Sequence, residues 1–392
     1  MHRIDVAERR RRLAVRHELA GRAPGELPGI ARRLVAMHAT DPATVYLSIR
    51  ARASKPVTPA DIEESLYERR ELVRMLAMRR TMFVVPAESV PVVQSSTSDR
   101  IARDQRARLL THLRDFGDVA DPDPWLADVE KSVLALFAER RAPVSAAELS
   151  AAEPRLKTTL RIAEGKTYAA NPNITSRVLV VLAAQGHIVR GRPIGTWLSQ
   201  QYRWSMIEDW LPSRPAPVDE ATAKREMARQ WLATFGPAPV SDLKWWTGWT
   251  LTQARHAIAA VDAVAVDLGA GQGFALPDDL DQTDDPGDWV ALLPALDPTV
   301  MGWADRSWFL GDHKQSLFDT NGNAGPTIWL NGKIVGGWAQ RPTGEIAIKL
   351  LEDVGKEATA AVATEAEQLA KWLTGVRVIP RFRTPTEREL ST

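Results

Sequence analysis

The 392-residue sequence contains no cysteine. Disulfides, thiolate nucleophiles and cysteine-ligated zinc are thereby excluded, a composition that suits a reducing compartment and an expected cytoplasmic location. The seven histidines are scattered, with no pair at helical ligand spacing, so no metal site is expected. A phosphate loop with lysine and serine or threonine is missing, as is a nucleophile elbow, and no cofactor is expected. The glycine cluster Gly269-Ala270-Gly271-Gln272-Gly273 fails the dinucleotide spacing and reads as a hairpin turn. Long apolar runs are lacking too. Val178–Ala184 is far too short to cross a bilayer, and the charged N-terminal stretch has no apolar core behind it, so neither membrane association nor a secretory signal is expected.

A large charge of either sign is also absent, the formal net charge being +1. The distribution is uneven, however. Residues 1–115 hold 22 Lys and Arg against 14 Asp and Glu, and residues 140–214 hold 11 against 5. Acidic residues gather instead at Asp278, Asp279, Asp281, Asp284, Asp285 and Asp288. Attraction of phosphate depends on local charge, so both basic regions are candidates for nucleic-acid contact.

Three helix-start signals recur at intervals of roughly ninety residues: Pro56-Val57-Thr58 with Asp61, Pro143-Val144-Ser145 with Glu148, and Pro239-Val240-Ser241. In the first two, a hydroxyl followed three residues later by a carboxylate makes a capping-box pattern. A helix over residues 8–20 ends at Gly21, and Asp41-Pro42 is an N-cap and first turn launching a helix over 43–53. Strands over 72–76 and 81–85 then flank Arg79-Arg80, a basic wing. The second unit repeats this with helices over 125–140 and from Ser145, another capped by Asn171-Pro172, and strands 188–190 and 196–204 around Gly191-Arg192-Pro193. The third has helices over 220–234, from Ser241 and over 250–259, with an uncharged hairpin. Trp245, Trp246 and Trp249 lie there at helical spacing and are expected to fill its core; stacking on an extruded base is the alternative. A β-rich tail follows, with strands at 289–293, 327–330, 333–338 and 345–350, a helix over 356–373 and a ragged end from Arg381. Asp297, Asp305 and Arg306 read as an internal ion-pair set. This outlines an α+β chain of three tandem winged-helix modules, at 1–115, 123–215 and 219–277, with a C-terminal domain at 289–380.

Two stretches carry a family resemblance: Val35-Ala36-Met37-His38-Ala39-Thr40-Asp41 through Tyr46–Arg52, and Leu292–Pro298 through Met301-Gly302-Trp303-Ala304-Asp305-Arg306-Ser307-Trp308. Gly325-Pro326-Thr327 and Gly332–Trp338 fit the same pattern. The chain resembles the bacterial winged-helix DNA glycosylases called AlkZ-like, which unhook crosslinks and remove alkylated purines. The resemblance implies three winged helices with a β-barrel-like C-terminal domain, arranged around double-stranded DNA. In that family a glutamine, an apolar residue and a glutamine or aspartate form the catalytic motif. The matching positions here are His38, Ala39 and Thr40, so the apolar middle is kept and both outer side chains differ.

His38 can hold a water through a neutral ring nitrogen and accept its proton, Thr40 can bind a water, and Asp41 can supply negative charge if it faces the site. The competing roles are a hydrogen-bonded histidine at a helix end and an Asp41 cap. The expected function is a monomeric, monofunctional DNA glycosylase; the alternative is a non-catalytic DNA-binding protein. Arg79, Arg80, Arg190 and Arg192 are placed at wing tips, with Arg161 and Lys166 on an intervening loop, as candidate DNA contacts. If these contact phosphate, affinity for duplex DNA falls steeply with salt, roughly as the 0.9 power of salt per phosphate engaged, which a titration of binding against salt measures.

Overall fold

In the computed structural model, which describes residues 1–21, 27–162, 171–211, 213 and 216–392, one order of elements recurs. Strand β1 (His2–Arg3) and helix α1 (Val6–Arg16) come first. A first unit follows: α2 (Leu27–Arg33), β2 (Met37–His38), α3 (Pro42–Arg52), α4 (Pro59–Glu63) and the hairpin β3 (Leu72–Ala77) and β4 (Thr81–Pro86). Helix α5 (Val90–Val93) and the long α6 (Asp99–Phe116) lead to the second unit: α7 (Pro122–Arg140), β5 (Val144–Ser145), α8 (Ala146–Ala152), α9 (Thr175–Ala184), β6 (Ile188–Pro193), β7 (Tyr202–Met206) and α10 (Ile207–Trp210). The third has α11 (Glu220–Phe235), α12 (Val240–Thr247), α13 (Leu251–Ala259), β8 (Val264–Asp267) and β9 (Gln272–Ala275).

The first two sheets share one topology, β2-β4-β3 and β5-β7-β6, with the short early strand beside the second strand of the hairpin. In the third, Ala238 bridges Phe274 in the place of that short strand, and β1 pairs in parallel with β8 on the other side. The chain is thus a mixed α+β protein. Its C-terminal part has β10 (Val290–Leu293), the one-turn helices α14 (Pro298–Met301), α15 (Ser307–Leu310) and α16 (Lys314–Leu317), strands β11 (Thr327–Leu330), β12 (Lys333–Gln340) and β13 (Ile346–Leu350), and helices α17 (Gly355–Trp372) and α18 (Pro385–Leu390).

The expected barrel is an open antiparallel sheet, β10-β11-β12-β13. Its edge strands do not pair with each other because α17 packs against both, occupying the place closure would need. The expected ragged end is also ordered. Thr384, Thr386 and Glu387 are buried and α18 lies on β12. Gly325 and Gly337 make this possible, since a Cβ on Gly325 would meet the Thr384 side chain at 2.4 Å and one on Gly337 the Leu317 and Thr386 side chains at 2.8 and 3.0 Å.

Both capping boxes form, at Thr58 with Asp61 and at Ser145 with Glu148. The third signal is misplaced. The chain bends into α12 at Pro239, leaving Ser241 too deep in the first turn to cap it, and the box of that unit is Thr250 with Gln253. Helix α9 likewise starts at Thr175 rather than at Asn171-Pro172, with Asn173 Oδ1 accepting from the Thr175 N–H.

Helix α1 accounts for part of the positive surplus. Arg12 bonds Glu8 at 2.7 Å and the carbonyl of Asp281 at 2.7 Å, and Arg12 and Arg16 both pair with Asp279. Glu8 accepts from the Thr283 N–H, Arg9 lies 4.1 Å from the Trp308 ring centroid, and Arg10 donates to the Trp308 carbonyl. The acidic linker and the basic helix, far apart in sequence, therefore neutralise one another.

Two large apolar cores result. One joins the first unit, the third unit and the C-terminal sheet and takes in Val189, Ile207 and Trp210 of the second; the other lies within the second unit and takes in Leu109 and Leu113 of α6. Within the first lies a fully buried ion pair, Arg52 with Asp297, at 2.7 Å with both side chains 0% exposed. Ser48 donates to Asp297 at 2.6 Å and the Thr299 N–H at 2.9 Å, while Arg52 also donates to the carbonyls of His17 and Ser48. Thr44 donates to the Ala295 carbonyl. Asp297 is thus paired with Arg52, not with Arg306: Asp305 accepts from the Ser307 N–H and hydroxyl, and Arg306 donates to the Val300 carbonyl. Burial raises the Asp297 carboxyl, but Arg52 and the hydrogen bonds from Ser48 and Thr299 outweigh it and hold it below its ordinary value. Arg52→Leu or Asp297→Leu is expected to cost about 3–5 kcal/mol by stranding the other charge, and the double variant less than the sum. Urea unfolding of the three variants measures this.

Candidate functional site

Met37 and His38 pair with Val84 and Phe83, and the Ala39 N–H continues the ladder to the Met82 carbonyl. His38 is therefore in an extended strand, not at a helix end. His38 ends that strand, and Thr40 lies in the bend that follows it, just before α3. Both present a buried polar atom with no partner, Nδ1 of His38 and Oγ1 of Thr40. The His38 ring packs 5.2 Å from the Phe83 ring. Burial, reinforced by nearby Arg79, pushes the imidazole down to about 3, so it is neutral at physiological pH.

Asp41 is differently employed. It caps α3, with Oδ1 accepting from the Ala43 N–H at 3.1 Å, while Oδ2 accepts from the Arg381 N–H at 2.9 Å. Burial raises this carboxyl, with the two backbone bonds opposing. With both oxygens turned to backbone donors, Asp41 fixes the start of α3 and ties the C-terminal segment to the site.

Arg79 and Arg80 occupy the tip of the first hairpin, both with positive φ, 54° and 59°. Arg80 is exposed, whereas Arg79 folds back against the third unit with its guanidinium carbon 3.8 Å from the Trp245 ring centroid. Arg306 approaches the same ring at 4.9 Å. Burial pushes both guanidiniums down to about 10, with mutual proximity adding to this for Arg79 and Asp242 opposing it for Arg306. Trp246 and Trp249 are core residues as expected, but Trp245 remains half-buried between these cations. Arg381 completes the rim, donating to the Gln200 side chain at 2.9 Å and, more weakly, to the Thr40 carbonyl. Among the described residues, no carboxylate lies within 4.0 Å of the charged groups of Arg79, Arg80, Arg306 or Arg381.

The other sequence candidates are elsewhere. Arg190 and Arg192 lie within β6, since the second hairpin turns later, at residues 194–201. Arg190 packs over Tyr202 and Trp204, and Arg192 pairs with Glu63 and Glu68 of the first unit at 2.8 and 2.9 Å. Position within the strand, rather than at its tip, decides where the two side chains go, and this a reading of them as one tip could not anticipate. Arg161 pairs with Asp118, and Lys166 lies outside the described residues. Arg306 and Arg381 escaped notice because one falls in a stretch read as an internal ion-pair set and the other in a stretch read as a ragged end.

Among the described residues no group of three His, Asp or Glu side chains could hold a metal, and no helix is long and apolar enough to cross a membrane. A family model described as DNA glycosylase AlkZ-like matches residues 31–372. A solved structure of similar fold is the Streptomyces sahachiroi DNA glycosylase AlkZ, with a TM-score of 0.74 at 17% identity over 96% of this chain and 99% of that one. No curated protein matches in sequence.

His38 is one of two buried neutral histidines. His17, at 0% exposure, is pushed down to about 3 by burial and by Arg52, and bonds Thr299 Oγ1 and the Thr234 carbonyl. Each is protonated more readily in the unfolded chain, whose ordinary value is 6.5. The stability that depends on their neutrality is present in full well above pH 6.5 and is lost as pH falls through 6.5 toward about 3. Denaturant midpoints between pH 7 and 4.5 measure the decline, which His38→Gln makes shallower.

Proposed function

The chain belongs to the AlkZ-like DNA glycosylase family, and we propose that it hydrolyses the N-glycosidic bond of an alkylated purine in duplex DNA, with the water held between His38 and Thr40. The observation that carries this reading is the pair of buried, unpartnered atoms, His38 Nδ1 and Thr40 Oγ1, at the two positions where the family motif has its outer side chains. Unmet hydrogen-bonding capacity in a buried place costs free energy, and a bound water relieves it at both atoms.

A purine alkylated at N7 or N3 is already a cation and leaves without a general acid. The remaining work is to place water behind the sugar carbon as positive charge builds on the ring. Neutral His38 accepts a hydrogen bond from that water. A group whose conjugate acid is this acidic captures a proton poorly, so orientation is its contribution. The proton released as the water oxygen bonds the sugar carbon passes to solvent while the neutral alkylpurine departs. Asp41 acts indirectly, holding the bend in which Thr40 lies.

We read the three units as winged-helix modules, on their repeated order of helix, short strand, two helices and hairpin. Arg79, Arg80 and Arg306 form a cationic edge beside the site that suits backbone phosphates, while half-buried Trp245 offers a ring to a sugar or base. One chain supplies every group named, so a monomer suffices. The second reading is a lesion binder that no longer cuts. It is favoured by the engagement of both Asp41 oxygens with backbone donors, which leaves that carboxylate no free oxygen for the sugar cation.

Single-turnover release of 7-methylguanine from a duplex tests the assignment. His38→Ala is expected to slow excision by about 100-fold or more, and His38→Gln to retain most of it. Between pH 5 and 8 the wild-type rate is expected to show no inflection at the ordinary histidine value, because His38 stays neutral throughout. Equal excision by wild type and His38→Ala would sink the assignment. Tight binding of the lesion duplex with no release by wild type would establish the second reading.

A further inference from the structure

A groove of about 1010 Å³ opens between α16 with its following turn and the C-terminal segment 381–388. Its cations are Lys314, Arg381, Arg383 and Arg388, and its carboxylate is Asp319. The Asp319 charge is spent within its own turn, accepting from the N–H groups of Asn321 and Asn323 and from the Asn323 side chain. Arg383 is held by Glu387. Among the described residues, Lys314, Arg381 and Arg388 have no carboxylate within 4.0 Å of their charged groups, and all three are exposed.

Both ends of the groove meet the candidate site. At one end the Arg381 N–H bonds Asp41, and its guanidinium reaches the Thr40 carbonyl and Gln200. At the other, the Phe318 ring lies 5.1 Å from the Arg306 guanidinium, which shares Trp245 with Arg79. The cations thus continue from the first hairpin, past the His38 strand, into the C-terminal segment. This run of cations, in which Lys314, Arg381 and Arg388 keep no carboxylate partner among the described residues and half-buried Phe382 stands beside them, matches a phosphodiester backbone with its sugars and bases to one side.

We propose that this groove carries the backbone of the DNA strand bearing the damaged nucleotide, making the C-terminal segment a wall of the DNA cleft. The proposal rests on the reading of His38 and Thr40 as a site for DNA. Charge favours a polyanion over a neutral or basic segment, and continuity with the site favours DNA over an acidic peptide.

The test is fluorescence anisotropy with a labelled duplex from about 50 to 200 mM salt, comparing wild type with a Lys314→Ala/Arg388→Ala double variant. Neither residue belongs to the proposed catalytic pair, and both are exposed, so unchanged thermal unfolding confirms that the variant is folded. The expected result is a fall in affinity of about tenfold or more at low salt and a salt slope shallower by about two. A Lys356→Ala/Lys371→Ala variant, with the same charge change on the exposed face of α17, is expected to keep the wild-type slope. An unchanged slope in the groove variant, or an equal loss in the α17 variant, overturns the groove while leaving the function intact. Equal competition by an acidic peptide for the labelled duplex at matched charge overturns the choice of DNA. A wild type that binds no DNA overturns both the groove and the function on which it rests.

Discussion

The buried Arg52–Asp297 pair is the constraint on which the arrangement of the site depends. A charge at 0% exposure is tolerable only when its partner is in place, so α3 and the turn before α14 have one acceptable relative position. Asp41 caps the N-terminus of the same α3, and the strand that ends at His38 runs through the Thr40 bend directly into that cap. The candidate site is therefore positioned from a distance: the ion pair locates the helix, the helix locates Asp41, and Asp41 locates the strand. Thr299 ties His17 into the same assembly, extending it to α1 and α11.

This explains why the two stretches of sequence that suggested a family are the two halves of one junction. Tyr46–Arg52 and Leu292–Pro298 meet through Ser48 and Arg52, and Thr44, just ahead of the first, bonds Ala295 in the second. Their residue types were legible because buried charge leaves little freedom of choice. Local signals were equally readable where the physics is local: the capping boxes at Thr58 and Ser145, the Asp41-Pro42 helix start and the first hairpin. What could not be read was whatever depends on which surfaces meet. Arg12 and Arg16 looked like a phosphate-seeking surplus until the fold placed Asp279 beside them. Arg192 looked like a wing tip until Glu63 and Glu68 came within reach. The segment after Pro380 looked ragged because its helix is short and polar, and its burial comes from glycines more than forty residues earlier, Gly325 and Gly337.

The electrostatics that remain are selective. Most arginines of α1 and of the second unit are spent on carboxylates, carbonyls and aromatic rings within the fold. Among the described residues, Arg79, Arg80, Arg306 and Arg381 are left without a carboxylate partner; Arg79 lies near the neutral His38 and Arg381 reaches the Thr40 carbonyl. An anion there brings favourable Coulomb energy and displaces no internal partner. Neutrality at His38 and unneutralised charge at Arg79 are linked, since the guanidinium helps to keep the imidazole unprotonated.

The pairing of β1 with β8 carries a consequence for biogenesis. Residues 2 and 3 lie beside residues 266 and 267, so β1 leaves the ribosome long before the strand it pairs with. At ordinary elongation rates that interval is on the order of tens of seconds. Throughout it, β1 has no sheet to join, and the arginines of α1 lack the acidic stretch that neutralises them. The nascent chain is thus most open to mispairing and to stray polyanions during that wait, and a fusion placed ahead of His2 would bear directly on the closing strand.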